Sequence, residues 1–380
     1  MSAADFRRTL RPTDRFARRQ LWLRRFHLDL PLVALILLTA GYGLLILYSA
    51  LDRDLAALQG QMSRLAVALG VMIVVAQIDL AVLQRWAPVL YGLGMVMLVL
   101  VLLVGVQAKG AQRWLGVPGL PRFQPSELMK LAVPLMVAAF LADRPLPPTG
   151  KTVLQVLAMI GAPALLIGLQ PDLGTAILVA AAGFAVLLLA GIPWRWVFFA
   201  GLAGLAALPG LWMVMRDYQR QRVLTLLDPE SDPLGAGWNI IQSKIAIGSG
   251  GLFGKGLFEG TQSHLNFLPE SHTDFIIAVL AEELGFLGVL GLLTLYFLLL
   301  TRGLYIATQG RDGFSRLLAG GLTLTFFTYL FVNVAMVSGL LPVVGVPLPL
   351  VSYGGTSALT LLAGFGVLMA VATQPKPLAA

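Results

Sequence analysis

The sequence predicts an all-α, polytopic membrane protein: ten transmembrane helices, with one long extracytoplasmic loop between the seventh and the eighth. Three observations carry that prediction. Of 380 residues, 57% are hydrophobic and only 12% are Asp, Glu, Lys or Arg, about half the ~25% charge of a soluble domain; the mean hydropathy is +0.82. Apolar runs recur at the ~20-residue length that crosses a bilayer. These runs are rich in Leu, Ala and Gly and do not alternate, so helices are the way their backbone groups are satisfied in lipid.

In chain order, residues 1–29 form a basic tail with eight Arg. It reads as an orientation signal and an anionic-lipid contact, with no nucleic acid as partner. The run from Leu30 to Tyr48 is too long for the apolar core of a cleavable signal and counts as the first span. The ten spans are expected at 30–49, 65–80, 88–107, 126–142, 152–169, 172–190, 195–214, 275–300, 317–338 and 355–373, which makes 30–373 the membrane domain and 374–380 a second short tail. Ten crossings put both termini on one side. That side collects sixteen of the 27 Lys and Arg, and five of the other eleven sit in one long loop that counts little. The positive-inside rule then places both termini in the cytoplasm, in a cytoplasmic membrane.

With that orientation the wordier loops, 107–125, 170–172, 215–274 and 339–354, all fall outside. So do the N-terminal ends of the even-numbered helices, whose free N–H groups suit an anion. Gln124-Pro125 and Gln170-Pro171 echo one another at two of those helix starts, where Pro fits the first turn. Loop 215–274 is far longer than a connector needs. It carries Trp238, Ile240, Ile241, Ile245, Leu252 and Phe253, so short surface helices are expected there, with Trp238 and Phe253 as interfacial anchors. Gly248–Gly256 lacks the Ser/Thr after Lys255 and the preceding strand that a phosphate loop needs, and reads as a tight turn approaching the membrane.

The chemistry-bearing side chains gather in these outer stretches. Asp274 follows Thr273, a good N-cap, at the mouth of the eighth span. The plain reading is a first-turn acid favouring the helix dipole; the functional reading is a general base toward a hydroxyl at a water–membrane boundary. Glu282 and Glu283, deeper in the same span, read as acids that hold helices together. Arg113-Trp114 and Arg122-Phe-Gln-Pro-Ser-Glu127-Leu-Met-Lys130 form a second cluster. Glu127 and Lys130 share a helix face; they are either a structural pair or, with Arg113, a clamp on a diphosphate. Asp172 is a dipole partner or a site acid, and an acid there is what a divalent cation, Mg²⁺ or Mn²⁺, takes alongside ligand phosphates. Lys244, with Arg216, Arg220 and Arg222, gives the long loop a basic face. Ser352, beside Gly354-Gly355, is a candidate ligand contact or part of a re-entrant turn. There is no Cys to brace a loop, and His27, His264 and His272 are too scattered for a His/Cys metal site.

Five stretches in order, QPSELMK, QPDLGTA, DYQRQRVLTLLDPESDPLGAGWNIIQSKIAIGSGGLFGKG, HTDFIIAVLAEELG and PLVSYGGTS, resemble the SEDS proteins of shape, elongation, division and sporulation. The resemblance runs from about Arg113 to Gly366 and is consistent with ten helices. The wording of the long loop resembles the elongation branch. The resemblance implies a peptidoglycan glycosyltransferase that polymerises lipid II, the undecaprenyl-diphosphate-linked precursor, on the outer leaflet, working with a class B penicillin-binding protein. It implies Asp274 as the catalytic acid, with Glu127, Lys130 and Asp172 lining the adjoining cavity; no organic cofactor is expected. A flippase for the same lipid and a non-catalytic scaffold for the transpeptidase are the competing classes. The clustering of candidate residues at one mouth, with nearly featureless inner loops, favours the enzyme over the flippase.

Overall fold

Each of the ten predicted spans meets a helix in the computed structural model, which describes residues 27–108, 111–116, 123–215, 217–232, 235–264, 268 and 270–374. In order they are α1 (Leu30–Ala50), α2 (Leu55–Ala76), α3 (Leu80–Val104), α4 (Pro125–Ala142), α5 (Gly150–Leu169), α6 (Leu173–Leu189) and α7 (Trp194–Val214). The long loop holds α8 (Asp217–Leu227), α9 (Ala236–Ser249) and the single turn α10 (Thr261–His264). Then follow α11 (Ile276–Thr308), α12 (Gly313–Val337) and α13 (Thr356–Thr373). Eight helices are long and apolar enough to cross a membrane; α6 and the apolar part of α7, Trp194–Ala207, are shorter than that. Length and composition thus support eight of the ten expected spans.

The starts of α2 and α3 lie well before the predicted 65 and 88, because Asp54 and Asp79 cap them. Their side chains accept from the N–H groups of Ala56, Ala57 and Ala81 at 2.8–3.1 Å, and a cap with a mixed first turn is invisible to an apolar window. The all-helical expectation also needs one amendment. Just past α3, β1 (Val106–Ala108) pairs antiparallel with β2 (Ala111–Trp114), and a bridge between Leu115 and Phe123 continues the pairing. This hairpin carries Arg113.

Helices α4, α12 and α13 are the centre of the bundle: 72% of each apolar window is buried, against 22% for α2 and α3. Small residues let the central helices close up. A Cβ at Gly366 of α13 would stand 2.5 Å from the Met72 carbonyl oxygen of α2, and one at Gly321 of α12 would overlap the Val186 side chain of α6. One end of the bundle ties together α1, α11, α12 and α13, through Arg302–Asp29 (2.6 Å), His27–Thr373 (2.7 Å) and Ser315–Gln374 (3.3 Å). The opposite end holds the starts of α4, α6 and α13 and the segment 339–355.

At that second end α11 is broken. Gly285 has φ 67° and ψ −164°, outside helical geometry and open to Gly alone at low cost. The break frees the carbonyls of Glu282 and Glu283 and the N–H groups of Phe286 and Leu287, which an unbroken helix would pair with one another. The glycine turn of the long loop takes up all four. Lys255 and Gly256 N–H donate to the Glu282 and Glu283 carbonyls at 3.0 Å, while Phe286 and Leu287 N–H donate to the Gly251 and Leu252 carbonyls at 2.9 and 3.1 Å. Non-helical backbone at this depth is tolerated because protein, not lipid, satisfies it. The expected tight turn is present, with Gly251, Gly254 and Gly256 at positive φ.

Beyond the turn, α9 packs on α11 and is pinned to the end of α12 by Ser243, whose hydroxyl donates to the Val337 carbonyl at 2.9 Å. Phe253 is 78% exposed at the tip of the turn, while Trp238 is half-buried.

Candidate active site

The site begins at the first turn of α4. Pro125 occupies its opening position after Gln124, as expected. Glu127 and Lys130 then point the same way from one face and pair at 2.5 Å, both buried. From α13, the Thr360 hydroxyl donates to the second Glu127 oxygen at 3.1 Å. From α12, the Tyr329 ring lies under the Lys130 ammonium, 5.0 Å from its centroid.

The start of α6 supplies the second half. Asp172 is its N-cap and accepts from the Thr175 N–H (3.2 Å), the Thr175 hydroxyl (3.0 Å) and the Gln124 amide (3.3 Å). Arg113 reaches in from β2, 3.6 Å from Asp172 and donating to the Pro171 carbonyl at 3.3 Å. The predicted echo of the two Gln-Pro pairs does not hold at this second place. Gln170 is the C-cap of α5 and Pro171 lies in the turn before Asp172, because Asp172 takes the capping position and pushes the helix start to Leu173.

Arg113, Glu127, Lys130 and Asp172 thus line one cleft of about 610 Å³, with Trp114, Gln124, Thr175, Tyr329, Gly345 and Thr356 among the remaining walls. Helices α4, α6 and α13 all start at it, so three partly positive helix ends face it. Two cations are each matched by an acid. Such a cleft receives an oxyanion by letting Lys130 and Arg113 turn their remaining donors to it, while the carboxylates hold them in place.

Asp274 stands at the edge of this cleft. It is half-buried, and a Cβ added to Gly345, a cleft residue with φ 70°, would lie 3.4 Å from its Oδ2. Its backbone is fixed by Asn333 of α12, whose amide donates to the Asp274 carbonyl (2.9 Å) and the Val346 carbonyl (2.7 Å). The expected Thr273 cap is not formed. The helix starts at Ile276, and the Thr273 hydroxyl donates to Glu270 at 2.6 Å, closing a turn before the helix.

Two expected contacts lie elsewhere. Lys244 is exposed on α9 and runs across Gly339. Ser352 is buried, its hydroxyl accepting from the Leu348 N–H at 2.8 Å inside the turn before α13. Arg122 and Arg216 lie outside the described residues. Glu282 and Glu283 hold elements together as read: Glu282 accepts from Lys255, Thr261 and Gln262, and Glu283 from the Ser49 hydroxyl at 2.6 Å. Among the described residues no three of His, Cys, Asp and Glu converge as metal ligands. Each of the two cleft acids faces a cation, Arg113 or Lys130.

Sequence reasoning missed Tyr329, Asn333, Thr360 and Thr175. The signal for the first two was present: a phenol and an amide four residues apart share a face of an otherwise apolar span. Under Lys130 and Tyr329 the lining turns apolar. A cavity that these two share with Leu131 and Leu322 adjoins a pocket of about 570 Å³ walled by Val75, Leu83, Leu90, Leu135, Leu322 and Val367.

Comparison with known proteins identifies this architecture. The family model for the FtsW/RodA/SpoVE cell cycle proteins matches residues 29–376. The peptidoglycan glycosyltransferase MrdB of Escherichia coli strain K12 is 53% identical over 96% of this chain and 99% of its own length. A probable peptidoglycan glycosyltransferase FtsW of Trichlorobacter lovleyi is 38% identical over 92% and 94%. Among solved structures, one of a peptidoglycan synthase complex, concerned with how polymerization and crosslinking are coordinated, superposes with a TM-score of 0.76 at 37% identity over 90% of this chain and 97% of that one. The rod shape determining protein RodA of Thermus thermophilus superposes with a TM-score of 0.68 at 33% identity over 90% and 96%. This chain belongs to the FtsW/RodA/SpoVE family of cell cycle proteins.

Proposed function

We propose that the chain is a peptidoglycan glycosyltransferase that polymerises lipid II at the outer face of the cytoplasmic membrane during cell elongation, with both termini in the cytoplasm. The observation that carries this reading is the joining of Arg113, Glu127, Lys130 and Asp172 in one cleft whose rim, at Gly345, abuts Asp274. Asp274 takes the proton of the acceptor sugar 4-hydroxyl. The oxygen attacks the anomeric carbon of the donor, the bond from that carbon to the diphosphate breaks, and its electron pair leaves with the diphosphate. Lys130 and Arg113 stabilise that departing charge, where preorganised electrostatics contribute most. A donor α-linked to undecaprenyl diphosphate gives a β-linked strand by this single inversion. The apolar pocket beneath Lys130 suits the prenyl tail. A class B penicillin-binding protein is the partner that crosslinks the strands.

The test is polymerisation of labelled lipid II by the purified chain with its transpeptidase. Asp274→Ala is expected to lower the rate by about 10²- to 10⁴-fold, the span of a general base; long strands at the normal rate would remove Asp274 from that role. Orientation is tested on a chain with no native Cys. Phe253→Cys should react with an impermeant maleimide on intact cells, and Thr13→Cys only after permeabilisation; the reverse pattern overturns the topology.

A further inference from the structure

The floor of the cleft contains a polar group that the reading above does not use. Tyr329 is 1% exposed; the Lys130 ammonium lies against its hydroxyl oxygen, and the hydroxyl's own proton meets no acceptor. The charges around it are Lys130, Glu127 and Asp172. Buried hydroxyls are as a rule hydrogen-bonded, because leaving one unmatched in a site of low polarity is costly. Tyr329 also lines both the polar cleft and the small apolar cavity below it, as Lys130 does. These two side chains therefore form the partition between a charged chamber and an oily one. An amphiphile with an anionic group joined to an apolar chain would have its junction at this level. Four residues on, about 6 Å along the axis, the same face of α12 presents Asn333, which fixes the Asp274 backbone.

We propose that Tyr329 is a substrate-binding residue: its hydroxyl donates to a diphosphate oxygen that Lys130 also holds, marking the point where the headgroup of a prenyl diphosphate passes into its tail. This rests on the glycosyltransferase reading and names one more contact within it. The Lys130 ammonium takes the charge, and Tyr329 adds a directional donor from the floor. The ring keeps a second task, supporting the ammonium through its face.

Tyr329→Phe separates the two tasks, because it keeps the ring and removes only the donor. The readout is binding of undecaprenyl diphosphate, which carries no sugar, to the purified full chain in nanodiscs, alongside the melting temperature. Tyr329→Phe should bind roughly tenfold more weakly than wild type, the scale of one hydrogen bond to a charged group, at an unchanged melting temperature. Phe326→Leu serves as the packing control, since it disturbs the same layer of α12 and leaves the hydroxyl in place. Equal weakening by Phe326→Leu and Tyr329→Phe would mean packing is the cause and would overturn the inference. If Tyr329→Phe binds like wild type while Lys130→Ala binds weakly, Tyr329 is no ligand and the clamp stands without it. If both variants bind like wild type, the diphosphate assignment of the whole cleft fails and the inference fails with it.

Discussion

Two Lys–Glu pairs sit at the same end of this bundle, each tied to an apolar helix, and they do opposite work. Glu127–Lys130 closes at 2.5 Å and Glu282–Lys255 at 2.6 Å, so distance does not tell them apart. Their surroundings do. Glu282 is 0% exposed and, besides Lys255, accepts the Thr261 N–H, the Thr261 hydroxyl and the Gln262 N–H. All of its capacity goes into joining the long loop to α11. Glu127 spends one oxygen on Lys130 and the other on Thr360, but Lys130 has three donors, opens on a cleft and rests on a ring that separates polar from apolar space. A buried ion pair is in itself weak evidence for stability or function. On the function proposed above, the capacity left unspent beside an open space distinguishes a pair that receives a ligand from one that seals a joint.

The comparison can be broken in order of expected size. Glu282→Ala strands Lys255 and two loop N–H groups. It should cost about 3–5 kcal/mol, the scale of removing one partner of a buried pair, measured as a lower midpoint of thermal unfolding, while the folded fraction still polymerises lipid II. Glu127→Met with Lys130→Met replaces both members of the other pair by side chains of similar volume. Such a swap is near neutral for stability, and polymerisation should fall at least ~100-fold, as when a preorganised charge contact is removed; a double variant that remains active would make this pair structural too. Asn333→Ala removes two amide donors from the Asp274 and Val346 carbonyls. About 1–3 kcal/mol follows from leaving buried polar groups unmatched, and activity should drop more than stability predicts, because the displaced segment carries Asp274. Ser352→Ala is the smallest change, at about 1 kcal/mol for one hydrogen bond, with the rate per folded molecule unchanged. A large rate loss there would restore Ser352 as a ligand contact.

The sequence made much of this readable for a physical reason: helices that cross lipid announce themselves by length and apolarity, and acids within them are costly enough to need an explanation. That argument reached α4, α6 and the mouth of α11 and read Glu282 and Glu283 as structural; for Glu127 and Asp172 it left a structural and a site role open, and the family resemblance is what implied the latter. It did not reach the places where local competition decides. Thr273 is a good cap by type, yet its hydroxyl is taken by Glu270. Ser352 reads as a ligand contact, and its hydroxyl oxygen accepts a turn N–H, which the sequence does not show. Lys244 is exposed on α9, and the cleft walls do not include it. The hairpin that delivers Arg113 hides in a short mixed stretch after Gly105, too brief for any period to show. Tyr329 and Asn333 share a face of an otherwise apolar span, but which partners they meet there is decided by the helices packed against them.

The broken backbone at Gly285 gives this end of the bundle an unusual mechanical status. Two backbone hydrogen bonds stitch Ile276–Leu284 to the Gly251–Gly256 turn and two more stitch Phe286 and Leu287 to it, so the loop is a splint across the break, with the short helix beneath Asp274 bound to it. A domain or epitope tag inserted between Gly251 and Gly256 would not be a harmless surface edit: it would unpick α11 from the side and leave Asn333 of α12 to hold the segment of Asp274 without the splint.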